Sequence, residues 1–304
     1  MLGEVVFLLG EQAYVKERLA CGEACAMLRA RGLAAEVHKA AEVADEVLKG
    51  RDGLLVLTDD PDRLMTLTEA GIPAIAYRHE GCAETSFSGA LYIFEEPQEI
   101  DADSYVKAYQ RAAGEPWEIL KTERLLLRET TVEDLDALYE IYRDPEMTLF
   151  MEGLFEDPAD EKRYMEDYIR NVYQLLGFGV WTVIEQRTGD IIGRAGFSVR
   201  AGFDRPEIGF LIGKNWQGRG YAKEAVEACL VYGRDVLGFA EVQALVKEGN
   251  AVSVHLLESL GFQTRETVEI EEDIYGGVYP GGENARTAIG SARRGRYLEM
   301  FLRL

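Results

Sequence analysis

The sequence predicts an α/β protein of two domains, a Rossmann-like domain with a parallel sheet and then a mixed α/β domain. Three observations lead to this prediction. Apolar, strand-like runs alternate with helical segments in the first third of the chain. Later strand-like segments follow one another as a hairpin, and a glycine-containing turn joins a strand to a long amphipathic segment. The length of 304 residues leaves room for two cores.

The N-terminal domain is predicted over residues 1–117. Its apolar runs, bounded by turn residues, predict buried strands, and the periodic segments between them predict helices. The expected strands span 5–10, 35–37, 53–58, 72–77 and 90–94, and the expected helices reach residue 29 and cover 41–49 and 61–70. Gly114-Glu115-Pro116-Trp117 breaks this alternation and marks the end of the domain, with Trp117 expected to pack against it.

The mixed α/β domain is predicted over residues 118–304. It begins with a strand at 124–128, and Thr131-Val132-Glu133-Asp134 then resembles the capping box that opens a helix. Further strands are expected at 180–184, 191–196, 207–212, 242–246 and 297–302, and helices are expected over 222–233 and 250–260. Residues 276–295, which are rich in glycine and arginine, predict a long loop before the last strand.

Composition narrows the range of functions. The net charge of −21 and the pI near 4.6 argue against a general nucleic-acid-binding protein, because phosphate backbones need a basic surface. An acidic surface favours cationic small molecules or basic peptides, and it is equally typical of an ordinary cytosolic protein. Cys21, Cys25, Cys82 and Cys229 lack the Cys-x-x-Cys spacing of metal sites, so no metal is expected.

The sequence also predicts where the protein works. Cysteines without a pairing pattern indicate free thiols in a reducing compartment. The N-terminus has no basic segment before its short apolar run, and no apolar run reaches about 18 residues, so neither a signal peptide nor a membrane span is expected. We therefore predict a cytoplasmic protein without a membrane partner.

Residues 215–222, Asn-Trp-Gln-Gly-Arg-Gly-Tyr-Ala, carry the strongest functional signal. They lie between the strand-like run 207–212 and the helix-like run that follows. The first turn of a helix has unpaired N–H donors and the positive end of the helix dipole, which suits a phosphate. Gly218 and Gly220 have no Cβ, so the backbone can approach that phosphate closely. A glycine-rich turn that only caps the helix is the alternative interpretation.

The residues of this segment distinguish between the known kinds of phosphate-binding loop. No Lys-Ser/Thr follows, which excludes a Walker loop, and Lys223 stands where a dinucleotide fingerprint has its third glycine. The pattern Gln217-x-x-Gly220-x-Ala222 resembles the pyrophosphate loop of the GNAT superfamily of acetyl-CoA-dependent N-acetyltransferases. The segment 242–262 resembles a second GNAT pattern, a strand followed by Asn-x-x-Ser, a short helix and Gly-Phe.

The GNAT resemblance implies a set of residues that bind acetyl-CoA. The amides of 218–222 should hold the pyrophosphate, and the side chain of Gln217 should help to shape the loop. In the family the strand before the loop splays from its neighbour, so the amides of 210–212 should pair with pantetheine and polarise the thioester. The implied residues are Phe210, Leu211, Ile212, Gln217, Gly218, Arg219, Gly220, Tyr221, Ala222 and Asn250. Asn250 is expected to orient the cofactor or, alternatively, to tie the two strands together.

The catalytic residues implied by the resemblance are Glu207 and Ser253. An amine acceptor is protonated near neutral pH, so a base or a chain of waters must remove its proton. Related enzymes often carry a glutamate at the position of Glu207, and binding a cationic acceptor is its alternative role. Leu257 replaces the tyrosine that many members use as the acid. Ser253 matches the branch that acetylates ribosomal-protein N-termini, and an ordinary helix-start hydroxyl is its alternative role.

The function predicted is N-acetylation, with transfer from acetyl-CoA to a primary amine, either a protein N-terminus or a small amine. Arg124-Leu125-Leu126-Leu127-Arg128, the Trp216 loop and Asn250-x-x-Ser253 resemble the ribosomal-protein N-terminal branch. A non-catalytic acyl-CoA sensor or scaffold is the alternative, favoured by the missing tyrosine. The expected partners are acetyl-CoA and the amine acceptor, nucleic acid is not expected, and a homodimer is allowed.

The N-terminal domain resembles, through its layout, the core of the HAD-like hydrolases. Thr58 closes a strand where that family has a Ser or Thr, and Glu95-Glu96 follows a later strand where the family has metal-binding acids. The family places a nucleophilic Asp directly after its first strand, whereas this chain has Gly10-Glu11-Gln12 there. We therefore predict a degenerate hydrolase-like module for packing, assembly or recognition, with Thr58 and Asp59-Asp60 as strand-end and helix-cap residues.

Overall fold

A computed structural model describes residues 1–13, 15–272 and 293–304 of the chain. The loop predicted over 276–295 lies outside the described residues as far as residue 292. The chain folds into two compact units, Met1–Trp117 and Glu118–Leu304. Each unit is built on a sheet of its own.

Five parallel strands form the sheet of the N-terminal unit, in the order β2-β1-β3-β4-β5, which is a doubly wound arrangement. The strands are β1 (Glu4–Leu9), β2 (Ala34–Lys39), β3 (Leu54–Thr58), β4 (Ala74–Tyr77) and β5 (Ile93–Phe94). The helices are α1 (Val15–Ala30), α2 (Asp45–Leu48), α3 (Pro61–Glu69) and α4 (Ala102–Ala112). The predicted parallel sheet is confirmed.

The central strands β1 and β3 are buried on both faces, which explains their continuous apolar sequence. Phe7 lies on the face that packs with α1 and α4, and Val56 lies on the face that packs with α2 and α3. The helix predicted over 41–49 is shorter than expected and begins only at Asp45. Residues Ala40–Glu42 form a short 3₁₀ turn instead, and Arg63 donates to the carbonyl oxygens of Ala40 and Val43.

The structure of the N-terminal unit shows where Asp60 and Trp117, for which the sequence made predictions, are placed. Asp60 caps α3, because its Oδ1 accepts from the N–H of Asp62 at 2.9 Å, as predicted for a helix-cap residue. Trp117 packs against α4, where Arg111 lies 4.1 Å from the ring centroid and Nε1 donates to Lys107 O at 2.9 Å. The four cysteines of the chain are buried and form no disulfide.

An eight-stranded mixed sheet forms the second unit, in the order β12-β13-β11-β10-β9-β8-β7-β6. Its strands are β6 (Glu118–Lys121), β7 (Leu125–Arg128), β8 (Val180–Glu185), β9 (Ile191–Ser198), β10 (Glu207–Ile212), β11 (Glu241–Lys247), β12 (Gln263–Glu272) and β13 (Arg293–Arg303). Its helices are α5 (Leu135–Tyr142), α6 (Pro158–Tyr168), α7 (Gln174–Leu176), α8 (Tyr221–Asp235) and α9 (Ala251–Ser259), with a π-helical segment at Ile169–Tyr173.

The two faces of strand β10 pack against different parts of the unit. Ile208 and Ile212 belong to the main core of the unit, together with Val226 of α8. Leu211, which points to the opposite face because side chains alternate along a strand, packs with Ile141 of α5 and with Met147. Glu207 shares the face of Leu211, so its carboxylate lies on the side of the sheet away from α8.

Candidate active site

The segment between β10 and α8 is a glycine loop at a helix start. Gly218 and Gly220 have φ values of 73° and 81°, in the left-handed region that favours glycine. The N–H of Glu224 donates to Gly220 O at 3.1 Å and closes the first turn of α8. The amides that precede it in the turn have no earlier helical carbonyl to bond, so they suit an external anion.

The side chain of Arg124, just before β7, holds this loop from outside. Its Nη1 donates to Arg219 O at 2.9 Å, and its Nε donates to Glu224 Oε2 at 2.6 Å. Its guanidinium also lies 4.5 Å from the ring centroid of Tyr221, whose hydroxyl donates to Glu185 Oε1 at 2.5 Å. Arg124 and Glu224 therefore fix the loop conformation, a role that local sequence patterns did not reveal because the two residues are 100 positions apart.

Gln217 connects the loop to the strand before it. Its Nε2 donates to Ile212 O at 2.8 Å and lies 3.5 Å from Met147 Sδ. The side chain thus ties the loop to the end of β10.

Strands β10 and β11 are parallel and then separate. Within the described residues their register contains a single pair, Glu207 with Gln243, and the N–H of Gln243 donates to Pro206 O at 2.9 Å. Beyond that pair the edge of β10 no longer has β11 as its partner. A gap therefore opens along β10, on the way to the glycine loop.

The hydrogen-bond alternation of β10 shows which amides face this gap. The N–H of Gly213 donates to Ile192 O at 2.8 Å, and the register pairs Leu211 with Arg194, so Leu211 directs its amide towards β9. Phe210 and Ile212 direct their amides to the other edge, where β11 has separated. The expectation for 210–212 is therefore corrected at Leu211, because neighbouring residues of a strand face opposite edges.

Glu207 is a buried carboxylate in an ion pair. It is 9% exposed, and Arg200 Nε donates to its Oε2 at 2.8 Å. Burial raises the pKa of Glu207, and the Arg200 guanidinium lowers it by less, so the pKa lies above the usual glutamate value. A carboxyl group shifted in this direction is a better proton acceptor than an exposed glutamate.

Gln243 lies beside Glu207 and was not identified from the sequence. Its side chain is fully buried, and neither Oε1 nor Nε2 has a hydrogen-bond partner in the described part of the protein. Because Gln243 is the register partner of Glu207, its amide is placed where β10 and β11 separate. A buried amide with both its donor and acceptor free can hold a water molecule or a substrate group.

The face of the sheet that carries Glu207 also carries Arg194, which is the register partner of Leu211. Burial raises the pKa of Tyr142, and a hydrogen bond and the charge of Arg194 oppose this shift. Burial also raises the pKa of Glu161, whose Oε2 accepts from the N–H of Phe155 at 2.9 Å. Residues 142–161 thus bring aromatic and acidic groups to the face of the sheet that carries Glu207 and Arg194.

The second motif is arranged around the start of α9. Asn250 caps this helix, since its Oδ1 accepts from the N–H of Ser253 at 3.2 Å. Ser253 is half-buried, and His255 is exposed. Leu257 is fully buried in the main core, so its side chain does not face the gap.

The described residues offer neither a metal-binding cluster nor a membrane-spanning helix. Between residues 1–13, 15–272 and 293–304, no group of three or more His, Cys, Asp or Glu side chains is arranged to hold a metal ion. Over the same ranges, no helix is both long enough and apolar enough to cross a bilayer.

Comparison with known proteins identifies the family. Residues 124–263 match the acetyltransferase (GNAT) domain. The chain is 35% identical over 147 residues to the uncharacterized N-acetyltransferase p20 of Bacillus licheniformis. This match covers 48% of this chain and 83% of that protein. It is 30% identical over 155 residues to the uncharacterized protein YkkB of Bacillus subtilis (strain 168), covering 49% of this chain and 87% of that protein. The chain therefore belongs to the GNAT acetyltransferase family, and it is an acyltransferase.

A solved structure with a similar fold is the ribosomal-protein-alanine N-acetyltransferase from Brucella melitensis. It is 23% identical, the match covers 59% of this chain and 99% of that chain, and the TM-score is 0.43. A GNAT acetyltransferase from Bacillus anthracis is 22% identical, with 60% and 97% of the two chains covered and a TM-score of 0.46.

Proposed function

We propose that the second unit transfers the acetyl group of acetyl-CoA to a primary amine by direct attack in a ternary complex. The observation that carries this proposal is the separation of β10 from β11 directly before the glycine loop. It places a strand edge with free hydrogen-bonding groups next to a helix start. Acetyl-CoA has an amide-containing arm joined to a pyrophosphate, so one cosubstrate can use both features.

The residues of the loop fit a pyrophosphate. A Cβ on Gly218 would meet no atom within 4 Å, so the backbone there is open to a ligand. The backbone amides of 218–222 supply donors without a net charge, and the dipole of α8 favours the anion. Gln217 occupies Ile212 O, which leaves the amide of Ile212 and the edge of Phe210 for the arm of the cosubstrate.

Acetyl-CoA supplies an activated thioester, and the chain supplies orientation and proton transfer. Glu207 is proposed to take the proton of the acceptor ammonium, directly or through a water held by Gln243. The raised pKa of Glu207 moves its proton affinity towards that of an efficient base near neutral pH. Ser253 is proposed to donate a hydrogen bond towards the leaving thiolate, and Asn250 to hold the start of α9 in place.

The acceptor class proposed is a primary amine on a protein N-terminus or a small molecule. The motif residues Arg124–Arg128, Trp216 and Ser253 support the ribosomal-protein N-terminal branch. Two carboxyl groups support a cationic acceptor. Glu207 lies on the face of the sheet opposite α8, and Glu161 belongs to the segment 142–161 described above.

Calorimetry with acetyl-CoA, followed by a turnover assay on a panel of peptides and small amines, tests the proposal. We expect binding of acetyl-CoA and release of free CoA only when an acceptor amine is present. Binding without turnover on any amine would favour the acyl-CoA sensor, which the buried Leu257 makes the natural second candidate. A protein that binds no acetyl-CoA would contradict both.

For the N-terminal unit we propose a hydrolase-like module that has lost its catalytic chemistry. Gly10 follows β1 directly, and its N–H donates to both carboxylate oxygens of Asp59, at 2.7 and 3.0 Å. Asp59 Oδ2 also accepts from His79, so this carboxylate is fully engaged. We expect no magnesium-dependent hydrolysis of p-nitrophenyl phosphate by the full-length protein, and robust turnover would refute the loss of activity.

A further inference from the structure

A cavity of about 600 Å³ is lined by residues of the N-terminal unit. It is found where β4 ends at Tyr77, where Glu95 and Glu96 follow β5, and along the first turns of α1. In open α/β sheets, ligands bind at the carboxyl ends of the strands. The cavity has the volume and the position of a small-molecule site.

Glu17 contributes an unpartnered carboxylate to this cavity. Its side chain is 2% exposed, and neither Oε1 nor Oε2 has a hydrogen-bond partner among the described residues. The nearest cation, Lys16 Nζ, is 3.9 Å from Oε1 and donates instead to Glu80 at 2.5 Å. The dipole of α1 favours an acid in its first turn but gives these oxygens no donor. Burying a carboxylate in this way is costly unless a donor arrives from outside.

Gln98 adds a third acceptor to the same cavity. Its Oε1 is buried and has no hydrogen-bond partner in the described ranges. Gln98 comes from the segment after β5, whereas Glu17 comes from α1, so residues with free acceptors from two separate parts of the fold line one cavity. The two observations are independent, and both call for a ligand with N–H donors.

The charges around the cavity are unbalanced. The lining contains five glutamates against one lysine and one arginine. Lys16 is paired with Glu80, and Arg78 Nε donates to Glu95 at 2.8 Å. The remaining acids make the cavity negative, which favours a cation.

The neighbouring His79 does not compete for this ligand. The N–H of Gly81 donates to His79 Nδ1 at 3.1 Å, so the hydrogen of the ring is on Nε2 and is directed to Asp59 Oδ2 at 3.0 Å. His79 and Asp59 therefore satisfy one another. The free groups are the carboxylate of Glu17 and the amide oxygen of Gln98.

We propose that this cavity binds a small organic cation that carries a primary ammonium group. Three acceptor oxygens match the three N–H donors of an ammonium, and the excess of glutamates matches its charge. A metal ion is disfavoured because no three His, Cys, Asp or Glu side chains of the described residues are grouped to hold one. The site is independent of the proposed acetyl transfer.

Calorimetry on the full-length protein tests the proposal with butylamine, butylguanidine, tetramethylammonium chloride and magnesium chloride. We expect butylamine to bind and tetramethylammonium, which has the charge without N–H donors, to bind at least about tenfold more weakly. Binding of none of the four, or equal binding of butylamine and tetramethylammonium, overturns the proposal. Tighter binding of butylguanidine than of butylamine overturns the assignment to an ammonium.

Variants assign the binding to this cavity. Glu17→Gln should weaken the binding of butylamine by about 10- to 100-fold, the range expected for loss of a hydrogen bond between charged groups. Glu23→Gln, an exposed acid of the same helix at the cavity rim, should change the affinity by less than about fivefold, as expected of an exposed charge. Glu207→Gln, which alters only the proposed acetyl-transfer site, should leave the affinity unchanged. Equal losses in Glu17→Gln and Glu23→Gln would refute a specific role for Glu17.

Thermal unfolding separates lost binding from lost folding. Glu17→Gln removes a buried, unpartnered carboxylate, so without ligand it should unfold at the same or a higher temperature than the wild type. Butylamine should raise the unfolding temperature of the wild type but not that of the variant. A variant that unfolds at a lower temperature without ligand would show that Glu17 has a structural role and would contradict the proposal.

Discussion

The groups proposed to bind the charged part of each ligand differ in kind between the two units. In the N-terminal unit they are acceptors, the carboxylate of Glu17 and Oε1 of Gln98. In the second unit they are the backbone donors at the start of α8, after Gly220. Both groups lie at the carboxyl ends of strands, so the same architectural position presents opposite electrostatics. The ligand is therefore indicated by the atoms left unsatisfied and not by the fold class.

The comparison predicts that the two sites can be disabled separately. The following substitutions alter the second unit alone, and each should leave the affinity of the N-terminal cavity for butylamine unchanged. They are ordered from the largest expected effect to the smallest.

Replacing Glu207 with Gln should have the largest effect, on turnover. Loss of a positioned base lowers turnover by about 10²–10⁴-fold. The affinity for CoA should stay nearly intact, because Glu207 lies on the face away from α8. The pH profile of kcat/KM should also lose its acidic limb. Wild-type turnover with an unchanged limb would assign deprotonation to solvent or to another residue.

Replacing Gly220 with Val should obstruct the donors of the loop. The φ of 81° is unfavourable for a β-branched residue by about 1–3 kcal/mol, so we expect CoA to bind roughly 5- to 150-fold more weakly in calorimetry. Gly238→Val is a matched control, because Gly238 has a φ of 70° and its Cβ would meet no atom within 4 Å. The control should lower the unfolding temperature and keep the affinity for CoA. An unaltered affinity in Gly220→Val would remove the loop assignment.

Replacing Ser253 with Ala should have a smaller effect on turnover than replacing Glu207. A serine hydroxyl has a high pKa, so it can stabilise a forming thiolate only by a hydrogen bond. Its loss should therefore lower turnover by less than the roughly 10²-fold expected for loss of a general acid. The helix should persist, because Asn250 caps it through the backbone N–H of residue 253. Steady-state kinetics with a fixed amine measures this ratio, and a loss as large as that of Glu207→Gln would make Ser253 an essential acid.

Replacing Arg200 with Gln should move the pH profile while keeping the chemistry. The guanidinium lowers the pKa of Glu207 against the larger effect of burial. Its removal therefore raises that pKa, and the acidic limb of kcat/KM should move to higher pH. A limb that moves to lower pH, or does not move, would show that Arg200 does not act on the base.

The glycine loop could be predicted from the sequence because its determinants are local. A positive φ requires glycine at positions such as 218 and 220, and a helix start leaves amides unpaired wherever it occurs. The cap of α9 by Asn250 is equally local, since donor and acceptor are three residues apart. The edge strand β12 was not predicted, because its many charged residues hide the alternation of a strand.

The role of the N-terminal unit could not be read from its motifs in the same way. The acids singled out at the ends of its strands are largely engaged, Asp59 with Gly10 and His79, and Asp60 as a helix cap. Glu17, which gave no signal in the sequence, is a buried acid whose carboxylate has no hydrogen-bond donor among the described residues. From the sequence alone, a glutamate in a helix is interpreted as exposed, because the tertiary contacts around it are not known.

The sequence by itself determined the parallel sheet, the acetyltransferase motifs and the conformation of the loop, because hydrophobic periodicity and glycine geometry act over a few residues. Only the tertiary structure decided that β10 and β11 separate after Glu207, and that Phe210 and Ile212, but not Leu211, face the gap. It also decided that Gln243 lies beside the base and that Arg124 anchors the loop. These features depend on register and on contacts across up to 100 residues, which no local pattern encodes.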